Sequence, residues 1–317
     1  MERLPRYVNI VETQLKTSKP IMIQIDSARM YGGGKTEEIL GDVMKDDIAH
    51  LRVATKANPW YGDLSRQGVR KQLEDSLKAL KVENVDVFYL HGPDAKYDIR
   101  ETLDEVQKMY KEKKFERFAL SNFTAWETTW IHNYMSKNKW ITPSVYQGMY
   151  NPITRTVEIE LFPALRRLGM DFYAYNPLAG GMLSGKHVRD NKESRRGGRF
   201  RDDTQWGKIY QERFMLDAHF DGMDIIKKAC EKEKINPVNA ALRWMKHHSK
   251  LSNDGDAIII GASKIQYFTA NVNALDEGKL PDSVVNAYDK AWEVIESAHA
   301  VPKFSRGYSG SSLKMEK

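Results

Sequence analysis

Four ionisable residues sit at the ends of apolar runs: Asp26 after IMIQI (21–25), Tyr31 five residues later, Lys56 closing RVATK (52–56), and His91 after DVFYL (86–90). Together they suit protonation of an oxygen that gains negative charge during a reaction. An unperturbed tyrosine, with a pKa of about 10, is a weak donor at neutral pH, and an adjacent ammonium lowers that value. On this reading Lys56 lowers the Tyr31 pKa, Asp26 keeps the lysine charged and fixed, and His91 donates to a carbonyl oxygen beside Tyr31. Each residue has an ordinary alternative, as a helix cap, a solvated cation or a loop partner. Their conjunction at three successive strand ends is what points to chemistry.

The same stretch, IDSARMYGGGKTE (25–37), offers a competing chemistry, because Gly34, Lys35 and Thr36 spell the end of a phosphate-binding loop. That loop needs a glycine where this chain has Arg29, and no later apolar strand ends in a magnesium-holding Asp.

Strand ends converge only if the elements are arranged to bring them together. Apolar runs alternate with helically spaced segments: IMIQI (21–25), RVATK (52–56), DVFYL (86–90), FERFAL (115–120), SVYQ (144–147), DFYAY (171–175) and DAIII (256–260). Between them, Val69, Leu73, Leu77 and Leu80, then Leu103, Val106 and Tyr110, then Val157, Leu161, Leu165 and Leu168 mark amphipathic helices. With YVNIV (7–11) the strands number eight, no linker divides the series, and a closed (β/α)8 TIM barrel in a single domain (1–317) is expected. An open doubly wound sheet is the rival, but its Gly-x-Gly-x-x-Gly after the first strand is missing. A basic segment (185–208) follows DFYAY; Val284, Val285, Tyr288, Trp292 and Ile295 predict an additional C-terminal helix across the barrel exterior, before a polar tail (302–317).

Composition narrows the setting. The 317 residues are 41% hydrophobic and 29% charged, without a run of the ~20 apolar residues that crosses a bilayer. One cysteine, Cys230, rules out an internal disulfide or a thiolate metal cluster and suits a reducing compartment, so a cytoplasmic location is expected, and no metal. The net charge of +6 is spread through amphipathic segments, which argues for an anionic cofactor over nucleic acid. Neither end carries a recognisable signal or lipid motif, and no membrane partner is expected.

The chain resembles the aldo-keto reductases, in particular the aflatoxin-aldehyde and succinic-semialdehyde reductases, through DSARMYGGGKTEEILG, VATKANPW, DVFYLHGPD, ALSNF, TPSVYQGMYN, ELFPALRRLGMDFYAYNPLAGGMLSGK, NAALRWMKHH and IIGAS. The resemblance spans about residues 21–300 and implies transfer of a hydride from NADPH to an aldehyde or ketone. It makes Asp26, Tyr31, Lys56 and His91 the catalytic tetrad. It places Ser121, Asn122 and Gln147 at the nicotinamide carboxamide and Tyr175 against the ring. It further assigns the cofactor Asn176, Pro177, Leu178, Gly180, Gly181, Leu183, Gly185 and Lys186 along the pyrophosphate, and Arg199 from the basic segment. Gly261, Ser263, Lys264, Gln266, Tyr267 and Asn271 fall at the adenosine end, where a 2′-phosphate favours NADPH over NADH. Arg306 corresponds to an arginine that receives substrate carboxylates, alongside His91 at the carbonyl. The resemblance also implies a small-molecule carbonyl substrate and allows a homodimer. Residues 1–20 lack the family's hairpin and Gly-Thr-Met-x-x-Gly text, so the first strand is expected to be divergent or truncated. Two other functions stay open: a cofactor sensor on the same fold, like potassium-channel β-subunits, and a barrel isomerase of sugar phosphates.

Overall fold

The structure, a computed structural model, describes residues 9–12, 23–44, 51–189, 198–252 and 255–302. Its strands are β1 (Asn9–Glu12), β2 (Ile23–Asp26), β3 (Leu51–Ala57), β4 (Val85–Leu90), β5 (Phe115–Ser121), β6 (Pro143–Met149), β7 (Asp171–Tyr175) and β8 (Ala257–Gly261). They close into a barrel in sequence order. From β2 to β8 every neighbouring pair is parallel.

The first strand departs from the expected all-parallel wall. β1 runs antiparallel to both neighbours, with Ile10 opposite Ile25 on one side and Ile260 on the other. Its connection to β2, residues 13–22, is shorter than the dozen or more residues that a parallel crossover takes, so the chain can pair there only by reversing. The short strand still joins the edges of β2 and β8 and so removes two open edges from the sheet.

Period-two alternation divides the strands between two cores. Ala54, Val87, Tyr89, Ala119, Val145, Tyr173, Ala257 and Ile259 fill the barrel interior. The outward set, including Val53, Phe88, Leu90, Phe118, Leu120 and Ile258, packs under the helices. Those helices are α1 (Lys35–Val43), α2 (Arg66–Leu80), α3 (Ile99–Lys111), α4 (Ala125–Lys137), α5 (Leu161–Leu168), α6 (Gln205–Phe214), α7 (Asp217–Lys232), α8 (Pro237–His247), α9 (Ile265–Asp276) and α10 (Asp282–Ser297). Val69, Leu73, Leu77 and Leu80 are all buried, as their spacing requires. Starts are set by side chains: Ser65 caps α2, Thr124 and Glu127 form a capping box on α4, and Asn236 caps α8 just before Pro237.

Two features were not in the strand-and-helix pattern. Three helices, α6, α7 and α8, lie between β7 and β8, and α6 begins inside the basic segment. The C-terminal helix α10 packs chiefly on α7; a Cβ on Gly222 would meet Ala291 and Ile295 at 3.2–3.4 Å, so the missing side chain permits that close approach. Cys230 of α7 is buried beside this seam, and burial pushes its thiol up to about 11. No helix among the described residues is long and apolar enough to cross a membrane.

Candidate active site

The barrel brings the four strand-end residues to one rim. Asp26 closes β2, Lys56 lies next to the end of β3 and His91 follows β4 directly. Ser27 N donates to Ala54 O at 2.9 Å and His91 N to Ala57 O at 2.8 Å, which stitches the three strand ends together. Lys56 shares the inward face with Ala54, so its side chain rises through the interior. Its ammonium, fully buried, donates to Asp26 Oδ2 at 2.6 Å and Ser27 O at 2.8 Å. The other Asp26 oxygen accepts from Gln147 Nε2 at 2.9 Å.

Above this pair lies Tyr31, with Lys56 Nζ 5.3 Å from its ring centroid. His91 approaches Tyr31 edge-on at 5.9 Å between centroids, and Trp60 approaches His91 at 5.1 Å. Tyr31 opens a short turn (Tyr31–Gly34) in which Gly32, Gly33 and Gly34 all have positive φ, a conformation that L side chains rarely adopt. The Arg29 guanidinium fills the inside of this turn, donating to Gly34 O and to Glu38 at 3.0 Å.

The structure corrects the expected direction of the Tyr31 shift. Burial first, and the Asp26 carboxylate second, push the phenol well above its ordinary value, while Arg199 opposes them. Asp26 at 2.6 Å neutralises much of the Lys56 field before it reaches the phenol. Burial also lowers Lys56 itself, against the pull of Asp26. His91 is held well below its ordinary value by burial and then by Lys56, so its imidazole is neutral. The outcome is a protonated phenol and a neutral imidazole side by side.

The residues expected at the cofactor form a second arc of the rim. Asn122, at φ 65°, donates to His91 O at 2.8 Å and Ser121 Oγ at 2.9 Å, and accepts from Tyr175 OH at 3.0 Å. Asn176, at φ 58°, follows Tyr175 and accepts from Tyr210 OH at 3.1 Å. Beyond Pro177 and Leu178 a tight turn, Ala179–Ser184, carries Gly180 and Gly181 at positive φ and Leu183 buried, before Gly185 and Lys186. Lys186 and Lys264 approach the Tyr267 ring at 5.5 and 5.6 Å. Lys264, after Gly261 and Ser263, is the residue before α9, whose first turn carries Gln266 and whose Asn271 is buried. Arg199 stands 5.4 Å from the Tyr210 ring. Arg306 lies outside the described residues.

Three further side chains face this mouth without having been singled out: Trp60, Tyr210 and Arg213, the last 5.7 Å from the Tyr210 ring. Tyr210 and Arg213 belong to α6, where reading strand ends gives no signal. Trp60 stood inside a recognised motif, VATKANPW, but an aromatic in a loop has no periodicity to mark it.

A closed barrel that gathers a buried Asp–Lys pair, a tyrosine and a neutral histidine at its rim, facing a glycine-rich turn with nearby cations, defines a barrel oxidoreductase. Comparison with known sequences agrees. The profile of the Aldo/keto reductase family matches residues 19–293. The chain is 44% identical over 291 residues to aflatoxin B1 aldehyde reductase member 4 of Homo sapiens, covering 89% of this chain and 87% of that protein. It is 43% identical to aflatoxin B1 aldehyde reductase member 2 of Rattus norvegicus, over 89% and 79% of the two chains. It is 41% identical to aldo-keto reductase family 7 member A3 of Homo sapiens, over 89% and 88%. The chain belongs to the aldo/keto reductase family.

Proposed function

We propose that this protein is an NADPH-dependent aldehyde reductase in which Tyr31 is the general acid, and that it favours aldehydes bearing a carboxylate. The observation that carries the reading is the fully buried Lys56–Asp26 pair beneath Tyr31, with His91 edge-on to the Tyr31 ring.

The residues present fit a dinucleotide. Asn176 Nδ2 is a buried donor without a partner, and the turn beside it carries Gly180 and Gly181 at positive φ. Lys186 and Lys264 set two ammoniums against one aromatic ring near the start of α9, a charge pattern suited to the 2′-phosphate of NADPH. Ser121, Asn122 and Gln147 would hold the carboxamide, with Tyr175 beside the ring. When bound, the cofactor supplies a hydride to the carbonyl carbon.

The chain's own residues handle the oxygen. His91 and Tyr31 converge on it, and a neutral imidazole can donate a hydrogen bond without competing for the transferred proton. As the oxygen becomes an alkoxide its basicity rises far above that of a carbonyl, and the Tyr31 proton moves to it. The phenolate left behind is stabilised by the Lys56 ammonium, an interaction stronger in the transition state than before it. Arg213 and Trp60 border the same mouth, and the carboxylate preference rests on the resemblance of Arg306 to a carboxylate-binding arginine.

The test is the initial rate of cofactor oxidation with succinic semialdehyde, 2-carboxybenzaldehyde and 4-nitrobenzaldehyde, each with NADPH and NADH. Turnover of all three, with NADPH preferred and the acidic aldehydes having the higher kcat/KM, is expected. Tight NADPH binding with no turnover of any aldehyde would overturn the reading.

A further inference from the structure

Glu37, in the first turn of α1, is completely buried although nothing in the catalytic chemistry uses it. Its Oε1 lies 2.5 Å from Thr55 Oγ1, and that hydroxyl lies 3.1 Å from Ser76 Oγ of α2. Thr55 and Ser76 are equally buried. Thr55 immediately precedes Lys56 on β3, and Glu37 follows Tyr31 by six residues. The cluster thus joins the segment that carries the proton donor to the strand that carries the ammonium.

The protonation state of this carboxyl can be read from its surroundings. Glu37 Oε2 is buried with no partner. The two cations that face Glu37 are engaged elsewhere: Arg29 with Gly34 O and Glu38, Lys56 with Asp26 and Ser27 O. Leaving a whole oxygen of an ionised carboxylate dry and unpaired is far costlier than leaving a carbonyl oxygen so. Thr55 has one hydroxyl hydrogen to give and two acceptors in reach, Glu37 Oε1 and Ser76 Oγ; a neutral acid would resolve the count, with Glu37 donating to Thr55 Oγ1 and Thr55 to Ser76. The charge balance of the site points the same way. A second ionised carboxylate behind β3 would give the Asp26–Lys56 group a net negative charge and oppose formation of the Tyr31 phenolate.

We propose that Glu37 is a positioning residue, held as a neutral carboxylic acid, that pins the Tyr31 turn to the Lys56 strand and leaves Asp26 as the counter-charge of the ammonium. The assignment rests on the reductase reading above for its catalytic consequence, but not for its protonation state. Burial raises the Glu37 carboxyl above its usual range, against the opposing influence of Thr55, Ser76, Arg29 and Lys56. A carboxyl raised in the fold contributes stability that is complete below the unfolded value and is lost as pH rises through the folded one.

Two measurements on the full chain separate the parts. Thermal unfolding of wild type and Glu37→Gln across pH 5–8 needs no turnover. The glutamine variant should gain Tm relative to wild type as pH rises, and a difference that is flat or falls with pH would overturn the neutral acid. Steady-state reduction of 4-nitrobenzaldehyde with NADPH tests positioning. Glu37→Leu and Thr55→Val should each lower kcat at least about tenfold with the KM for aldehyde little changed, since small misplacements at a reacting centre are costly. Glu37→Gln, which keeps a donor and an acceptor, should restore most of the loss seen with leucine. Wild-type kcat in Thr55→Val, or a glutamine variant as impaired as the leucine one, would overturn positioning. A wild-type enzyme that turns over no aldehyde would refute the reductase reading alone, with the pH series still deciding the state of Glu37.

Discussion

In the proposed mechanism Tyr31 has to keep its proton until the carbonyl oxygen becomes basic, and burial, with the Asp26 carboxylate second, favours this by raising its pKa. Part of the ring still reaches the mouth, so the proton is withheld from bulk water yet available to a bound carbonyl. Replacing the phenol removes a general acid, an effect of about 10²–10⁴ in rate. Tyr31→Phe should therefore lose at least about a hundredfold in kcat while NADPH still quenches tryptophan fluorescence to the same extent. His91 gives a pH prediction whose sign follows from its lowered pKa: the neutral imidazole persists below the ordinary 6.5. The kcat for reduction should stay within about twofold between pH 6 and 7.5, where an unperturbed histidine would titrate. A drop with its midpoint near 6.5 in the pH–rate profile would contradict this assignment.

Among the elements, strands β2 to β8 were legible because each is an apolar run with buried residues on both its inward and outward faces, bounded by polar loops. The meeting of Asp26, Lys56 and His91 at one rim was legible for the same reason, since an ionisable residue ending such a run is conspicuous, and Tyr31 follows in the first of those loops. Other parts depend on information that pattern does not hold. The reversal of β1 follows from the length of its connection. Helices α6 and α8 owe their ends to Thr204 and Asn236, caps that mean little until a helix is already suspected. The resting state of Tyr31 turns on net burial, which no spacing reveals. The turn after β7 gives the element-scale prediction. Gly180 has φ +69°, and a Cβ there would lie 2.5 Å from the Tyr210 ring. Gly180→Ala should dislodge Tyr210 from Asn176 and cost about 1–2 kcal/mol for the left-handed backbone. That is roughly a five- to thirtyfold fall in the folded-to-unfolded ratio, measurable by denaturant unfolding of the variant against wild type.

Across the whole molecule, closure depends on the four-residue strand β1 more than its length suggests, because it completes the ladder between β2 and β8. Val11 stands opposite Gln24 and Ile259, and a proline there removes an amide donor from the wall. Val11→Pro should lower Tm by about 2–4 °C for each kcal/mol lost and raise the tendency to aggregate, both visible in a thermal scan with light scattering. The seam between α7 and α10 carries a different consequence. Aldehydes are electrophiles to which thiolates add at the carbonyl carbon, and the chain has one cysteine, buried beside that seam with its thiol pushed up to about 11. At neutral pH almost none of it is in the nucleophilic form, so a carbonyl substrate meets no reactive thiolate on this chain.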